Sequence, residues 1–307
     1  PAHYLGCNHL CYDVVRPDPL NRVFALAVLA AALCACQDAE QSRTQPLAYE
    51  RIVTLAPNLT ELVFAVGAGD ALVGVSAWSD FPPAARKLPV VGDAFTVDQE
   101  QLTLLDPDLL LVWESGTPKH AVDELRKSGY AVETIRTRGL DDVSAALLRI
   151  GELTGRLEKA QRVAADFQQA LGELRRAQEG RSTISVFYQV SARPLYTVNN
   201  EHYVSELIEI CGGQNIFADL DNLAPGISVE AVVDRNPEVM LASTDAGDDA
   251  FEEWQRWPAV AANLYGNLFL LPADEIARAT PRLILAGGAM CLALQQARFN
   301  RDAFGSR

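Results

Sequence analysis

Two glutamates at matching places are the first residues whose types and spacing point to chemistry. Residues 97–111 read VDQEQLTLLDPDLLL and residues 227–241 read ISVEAVVDRNPEVML. They align without gaps at an offset of 130 (227 − 97), so Glu100 meets Glu230, Pro107 meets Pro237 and Asp108 meets Glu238. Each copy predicts a short helix, then Pro, an acid and a buried strand. Asp98 and Ser228 are good N-caps, which sets each glutamate two residues later, in the first turn. A carboxylate there gains about 0.3–1 kcal/mol from the helix dipole, which accounts for an acid somewhere in the turn. An equivalent acid in both copies asks for more: two matching anionic knobs suit a partner with two equivalent basic sockets.

Other reactive residue types are sparse. After Cys36 only Cys211 and Cys291 remain, an even pair of the kind that bridges in an exported protein, with two buried free thiols as the alternative. A bridge would close 80 positions (291 − 211) and, by the loop-entropy argument, stabilise by roughly 4–5 kcal/mol. His3, Cys7, His9 and Cys11 are all metal-ligand types, but their spacing matches no zinc module and processing at Cys36 would discard them. Downstream, His120 and His202 stand one per half, too few for a histidine-rich metal cage, and read as surface residues near helix starts. No GxSxG, HExxH, phosphate-loop or dinucleotide fingerprint occurs, so the chain reads as a non-enzyme with no cofactor. Trp254 and Trp257, three residues apart on an expected helix, read as core.

The elements that must position these residues begin with a leader. Val23 to Cys36 is an uncharged apolar run behind Arg22, too short to span a membrane as a helix and suited to a signal core. The flanking Leu33-Cys34-Ala35 and the polar QDAEQSRTQP resemble a lipoprotein signal with Cys36 as the lipidated first residue. Residues 1–36 are thus expected to be an upstream segment and signal, and 37–49 a polar linker. The remaining 272 residues (307 − 35) keep the whole formal charge of -14, which argues against nucleic-acid phosphates as a partner. From Arg51, strands RIVTLA, LVGVSAWS, LLLVWES and AVETIR alternate with helical patterns, one of them opening at Asn58, predicting an α/β lobe over 50–156. Apolar residues at three- and four-residue steps predict one long amphipathic helix over 157–180. A second α/β lobe over 181–300 carries STISVFYQV, VMLAS and LFLLPA as strands, with a last helix opened by Thr280 and Pro281.

The segments IVTLAPNLTELVFAVGAGDALVGVS, SDFPPAARKLPVVG, LDPDLLLVW, ICGGQNIF and ATPRLILA, in order from about Arg51 to about Gln296, resemble the two-lobed substrate-binding proteins of cobalamin and iron-chelate ABC importers. That resemblance implies two Rossmann-like α/β lobes joined by a single backbone helix, with the ligand held in the cleft between them. It implies a periplasmic monomer that delivers cobalamin or a related corrinoid to a permease dimer; the signal segment adds either a lipid on Cys36 as the one link to a membrane or, as the alternative, ordinary secretion with cleavage nearby. It places Glu100 and Glu230 on the positions that contact permease arginines, and pairs Cys211 with Cys291. It assigns ligand contact to Trp78, Phe95 and Trp113 and to the cleft loop from Asp274 through Glu275, Ile276 and Ala277 to Arg278. Both tryptophans end strands, where open α/β sheets present ligand sites. Ala224 and Val190 stand where cobalamin-binding members carry aromatic rings. The alternatives are haem or a ferric siderophore as cargo, or a corrinoid sensor or buffer without a transporter.

Overall fold

In the computed structural model, residues 48–93, 96–247 and 249–306 are described. Ile52–Thr54 (β1), Leu72–Val75 (β2), Leu109–Trp113 (β3) and Val132–Ile135 (β4) form a parallel sheet in the order β2-β1-β3-β4. In the second half Ile184–Gln189 (β5) is followed by a small antiparallel hairpin, Ser191–Ala192 (β6) with Leu195–Tyr196 (β7). Gly213–Asn215 (β8), Val239–Ser243 (β9) and Leu268–Leu271 (β10), the last two joined through Ala261–Tyr265 (α8), complete a second parallel sheet in the order β10-β9-β5-β8. Leaving the hairpin aside, each sheet reads second, first, third, fourth in chain order. The expected two α/β lobes are therefore two copies of one topology.

Strand residues alternate between faces, and both faces are covered. In the first sheet Ile52, Leu109 and Leu111 point one way, against Leu59, Leu62 and Val63 of Pro57–Ala65 (α1). Val53, Leu110 and Val112 point the other way, against Leu102 of Gln99–Leu105 (α2) and Val122 and Leu125 of Lys119–Lys127 (α3). In the second sheet Val239 and Leu241 face inward while Met240 packs outward with Phe187, Phe217 and Trp254. The inward faces of both sheets belong to one continuous core. Leu140–Leu153 (α4), Leu157–Ala177 (α5), Tyr203–Ile210 (α6) and the terminal helix Leu283–Gly305 (α10) fill it with Leu147, Phe167, Leu207 and Met290 among others. A core shared across the lobes resists their separation, because opening them would expose that apolar surface at about 25 cal/mol per Å².

The sequence echo becomes a structural one with unchanged offset. Val229–Arg235 (α7) and β9 repeat the bounds of α2 and β3 at 130 residues. Asp98 Oδ1 accepts from the Gln101 amide at 2.9 Å, and Ser228 Oγ accepts from the Ala231 amide at 3.2 Å. Both helices end on a residue in the left-handed region, Asp106 and Asn236, each with φ 44°, a conformation that Asn and Asp tolerate best among non-glycines. The following acids do one job twice: Asp108 accepts from the Glu50 and Arg51 amides at 2.8 and 3.0 Å, and Glu238 from the Ser185 amide at 2.9 Å. Each carboxylate thus pins the start of its lobe's first strand to the start of its third.

Several expected boundaries shift. The long helix α5 stops at Ala177; residues 178–180 turn away, with Gly180 left-handed at φ 75° as a C-terminal glycine allows. The last α-helix opens at Leu283 rather than at Thr280 and Pro281, which lead into it through a tighter turn: the Leu283 amide donates to the Thr280 carbonyl at 3.0 Å, the Thr280 hydroxyl oxygen accepts from the Arg282 amide at 3.3 Å, and the hydroxyl donates to Glu61 Oε2 at 3.2 Å. It runs on to Gly305, past the expected lobe end at 300. The first helix opens one residue before Asn58, at Pro57, a favoured first position. Trp254 is core, inside the 3₁₀ turn Glu252–Arg256 rather than an α-helix, and donates from its indole to Gln189 at 2.8 Å; Trp257 packs beside it, half-buried. Cys211 and Cys291 form a disulfide tying the end of α6 to α10. His120 is exposed at the start of α3, whereas His202 is half-buried. Its Nδ1 accepts from the Val204 amide at 3.2 Å as the N-cap of α6, and burial pushes its pKa down to about 4. Cys36, and His3, Cys7, His9 and Cys11, lie outside the described residues, as does Phe95.

Candidate functional site

Where the two lobes meet, the carboxyl edge of the first sheet faces residues of the second lobe. The chain leaving β2 carries Trp78, whose indole is 82% exposed although its backbone sits at φ 66°. A bulky residue in that region is strained by of order 1–3 kcal/mol and persists only where its surroundings enforce it. They do so here. Arg278, just beyond Ala273–Ala277 (α9), donates to the Trp78 carbonyl at 3.2 Å and to Asp80 Oδ1 at 2.7 Å, gripping the loop on both sides of Ser79.

Arg278 is itself held by Glu61 of α1 at 2.8 Å and by Asp274 at 3.2 Å, and only 12% of its side chain is exposed. Glu61, with 3% of its side chain exposed, also accepts from Arg282 at 3.1 Å and from Thr280. Arg282 in turn pairs with Glu275 and lies 4.0 Å from the centre of the Phe81 ring. Burial opposes charge on both Arg278 and Asp80. For Arg278 the hydrogen bonds to Glu61 and Asp80 prevail and raise the pKa; for Asp80 the hydrogen bond and charge of Arg278 prevail and hold the carboxyl below its ordinary range. Beside the cluster Phe64, Ala65, Phe81, Pro82, Pro281 and Arg282 line a cavity of about 220 Å³.

A second polar contact crosses the seam. Arg138, ahead of α4, donates to Glu114 at 2.6 Å and approaches Glu201 of the second lobe at 3.8 Å, and its carbonyl accepts from the Tyr203 amide at 2.6 Å. The Glu206 carboxylate accepts from the Leu140 amide at the opening of α4, and burial raises its pKa despite that bond. Arg138, Glu201 and Glu206, with Arg136, Asp141 and Asp142, rim a polar cavity of about 560 Å³.

The residues expected to touch ligand fall into three groups. Trp78 is open. Trp113 ends β3 half-buried, its ring lying over Gly116 and against the shared core; its Nε1–H is buried with no hydrogen-bond partner among the described residues. Within 274–278, Asp274 and Ala277 are exposed, whereas Glu275 is paired with Arg282. Ile276 is a correction: it is fully buried, and its carbonyl accepts from the Tyr203 hydroxyl at 3.0 Å, because the segment is a helical turn with one face on the core rather than an open loop. Glu61 escaped the sequence reading altogether. The available signal was an acid inside the otherwise apolar helix LTELVFAV.

Glu100 and Glu230 are exposed in the first turns of α2 and α7 and have no ion-pair partner among the described residues. A helix entering from β2 or β8 toward the third strand of its sheet starts at the carboxyl edge, so topology sets each glutamate at the edge where its lobe offers a ligand site. No described helix is long and apolar enough to cross a membrane.

Comparison with known proteins agrees with this geometry. The periplasmic binding protein family matches residues 52–275. The Vitamin B12-binding protein of Vibrio cholerae is 35% identical over 255 residues, covering 83% of this chain and 92% of that protein, and its counterpart in Pectobacterium carotovorum is 34% identical, covering 79% and 87%. The crystal structure of the periplasmic vitamin B12 binding protein BtuF of Vibrio cholerae superposes with a TM-score of 0.74, covering 82% of this chain and 99% of that one. The periplasmic heme-binding protein RhuT from Roseiflexus shares the fold at 22% identity and a TM-score of 0.71, covering 81% of this chain and 98% of that one. With two lobes of one topology, a spacer helix and a match across 52–275, this chain belongs to the periplasmic binding protein family.

Proposed function

We propose that this protein captures a corrinoid between its lobes in the periplasm and hands it to an ABC importer, without covalent chemistry of its own. The observation that carries the reading is Trp78: an exposed indole on a strained backbone, fixed at the carboxyl edge of a sheet. A corrinoid is a broad apolar macrocycle fringed with amides, and it needs flat aromatic surface plus a few placed donors and acceptors. Trp113 offers a second, half-buried ring at the end of β3, and Asp274 an exposed carboxylate. The curated relatives above are named for vitamin B12, which supports the cargo. Phe95 would add a further ring, and a lipid on Cys36 would tether the protein to a membrane.

Delivery would use Glu100 and Glu230. Exposed ion pairs are worth only about 0–1 kcal/mol each, so the twin glutamates serve to orient the receptor on a two-fold permease, and neighbouring contacts supply the affinity. Titrating the purified protein with cyanocobalamin tests the reading: one-to-one binding is expected, weakened by about 10- to 100-fold in Trp78→Ala, the scale of losing one buried aromatic side chain. No heat and no change of tryptophan fluorescence with cyanocobalamin would refute it. A second reading, haem or a ferric siderophore as cargo, is favoured by exposed Val190 and Ala224 where rings were expected, and haemin and a siderophore panel in the same titration separate the two.

A further inference from the structure

The acid that holds the indole loop lies one layer behind it. Glu61 sits on α1 in the first lobe, and its carboxylate accepts from Arg278, Arg282 and Thr280, all of the second lobe and more than 200 positions away. With 3% of its side chain exposed, it is the most deeply buried carboxylate of the seam. Two guanidiniums brought together there would repel, and a buried carboxylate between them removes that cost only while both stay in place. Arg278 then uses its remaining N–H groups on Asp80 and on the Trp78 carbonyl. The chain of contacts therefore runs from Glu61 through Arg278 to the one strained, exposed indole of the described residues.

We propose that Glu61 is a positioning residue for the ligand site: by clamping Arg278 and Arg282 across the seam it fixes the lobe spacing and the setting of Trp78 before ligand arrives. Site and clamp are one unit, so binding free energy is not spent on ordering the loop. The inference rests on the corrinoid reading for its ligand, but its first readout does not.

Glu61→Gln keeps the shape and removes the charge. In the whole protein, it should speed hydrogen exchange of the backbone amides of residues 76–80, and it should weaken cyanocobalamin binding by about tenfold, the scale of losing an outer-shell partner. Both should appear at a temperature where circular dichroism shows the variant folded. A lower melting temperature with unchanged affinity would overturn the proposal, since the pair would then be structural only; unchanged exchange at 76–80 would overturn it too. If Glu61→Gln does not fold, Asp80→Asn, at the 40%-exposed end of the same cluster, should move both readouts in the same direction and by less, and no movement there overturns the proposal. Should the unaltered protein ignore cyanocobalamin, the corrinoid reading falls while the exchange of residues 76–80 in Glu61→Gln still decides whether the clamp sets the loop.

Discussion

The first lobe passes from β1 straight into α1 and offers Trp78 and Trp113 at the carboxyl edge of its sheet. The second leaves β5 through exposed Val190, inserts the β6–β7 hairpin and a loop before α6, and brings Asp274 and Arg278 to the seam instead of rings. In other respects the two are near copies: the capped seven-residue helix, its left-handed terminus, the acid pinning the first strand and the buried third strand recur at one offset. The shared parts are those that hold a sheet together, where a changed residue leaves a cavity or an unpaired amide. The divergent parts lie where a ligand site belongs, one lobe supplying flat apolar surface and the other charge. The twin glutamates are the exception, equivalent and yet exposed, without partners among the described residues.

The largest effect should come from treating those glutamates as a pair. Glu100→Lys with Glu230→Lys should abolish importer-dependent uptake while leaving cyanocobalamin affinity unchanged, and each single reversal should cost a similar share; unequal singles would show that the lobes dock differently. Next in size is a feature of the second lobe alone. Replacing Cys211 and Cys291 together by Ala should lower stability by about 2–5 kcal/mol in urea unfolding, with the first hydrogen-exchange losses around α6 and α10.

A finer probe of the likeness compares Asp108→Ala with Glu238→Ala. Each strips charged acceptors from amides at the start of its lobe's first strand, so each should cost about 1.5–3 kcal/mol. Glu238 also holds Arg301 at 3.2 Å, which should make its loss the greater.

The effect expected to vanish at neutral pH is a pH dependence confined to the second lobe. Burial keeps His202 neutral down to about pH 4, whereas an unfolded imidazole titrates near 6.5. Protons therefore bind the unfolded chain first, and this group's contribution to stability, complete above about pH 6.5, is lost as pH falls toward 4. His202→Asn retains a capping side chain and should flatten that part of the stability profile, measured by thermal melts across the range.

Much of the scaffold is legible in one dimension because its signals are local. The gapless echo finds α2, β3, α7 and β9 as matched pairs, with β3 stopping two residues short of the LLLVWES run, and the three- and four-step apolar pattern finds α5 apart from its last turn. The seam is not legible, because its contacts join residues some 200 positions apart. Nothing near Glu61 announces Arg278, and nothing near Thr280 shows that its hydroxyl donates across the lobes. Ile276 reads like its exposed neighbours until the turn of α9 puts it on the core. His202 passes for an exposed residue because its half-burial depends on how α6 packs against the first lobe, where the Tyr203 amide meets the Arg138 carbonyl.

The central claim is that an indole held in a strained, outward setting by a clamp across the lobes receives a corrinoid. Calorimetric titration of the purified protein and its Trp78→Ala variant with cyanocobalamin tests it most directly. Saturable one-to-one binding by the first, weakened by about 10- to 100-fold in the second, is the predicted result. Equal affinity in the two proteins, or binding of haemin with no response to cyanocobalamin, would contradict it.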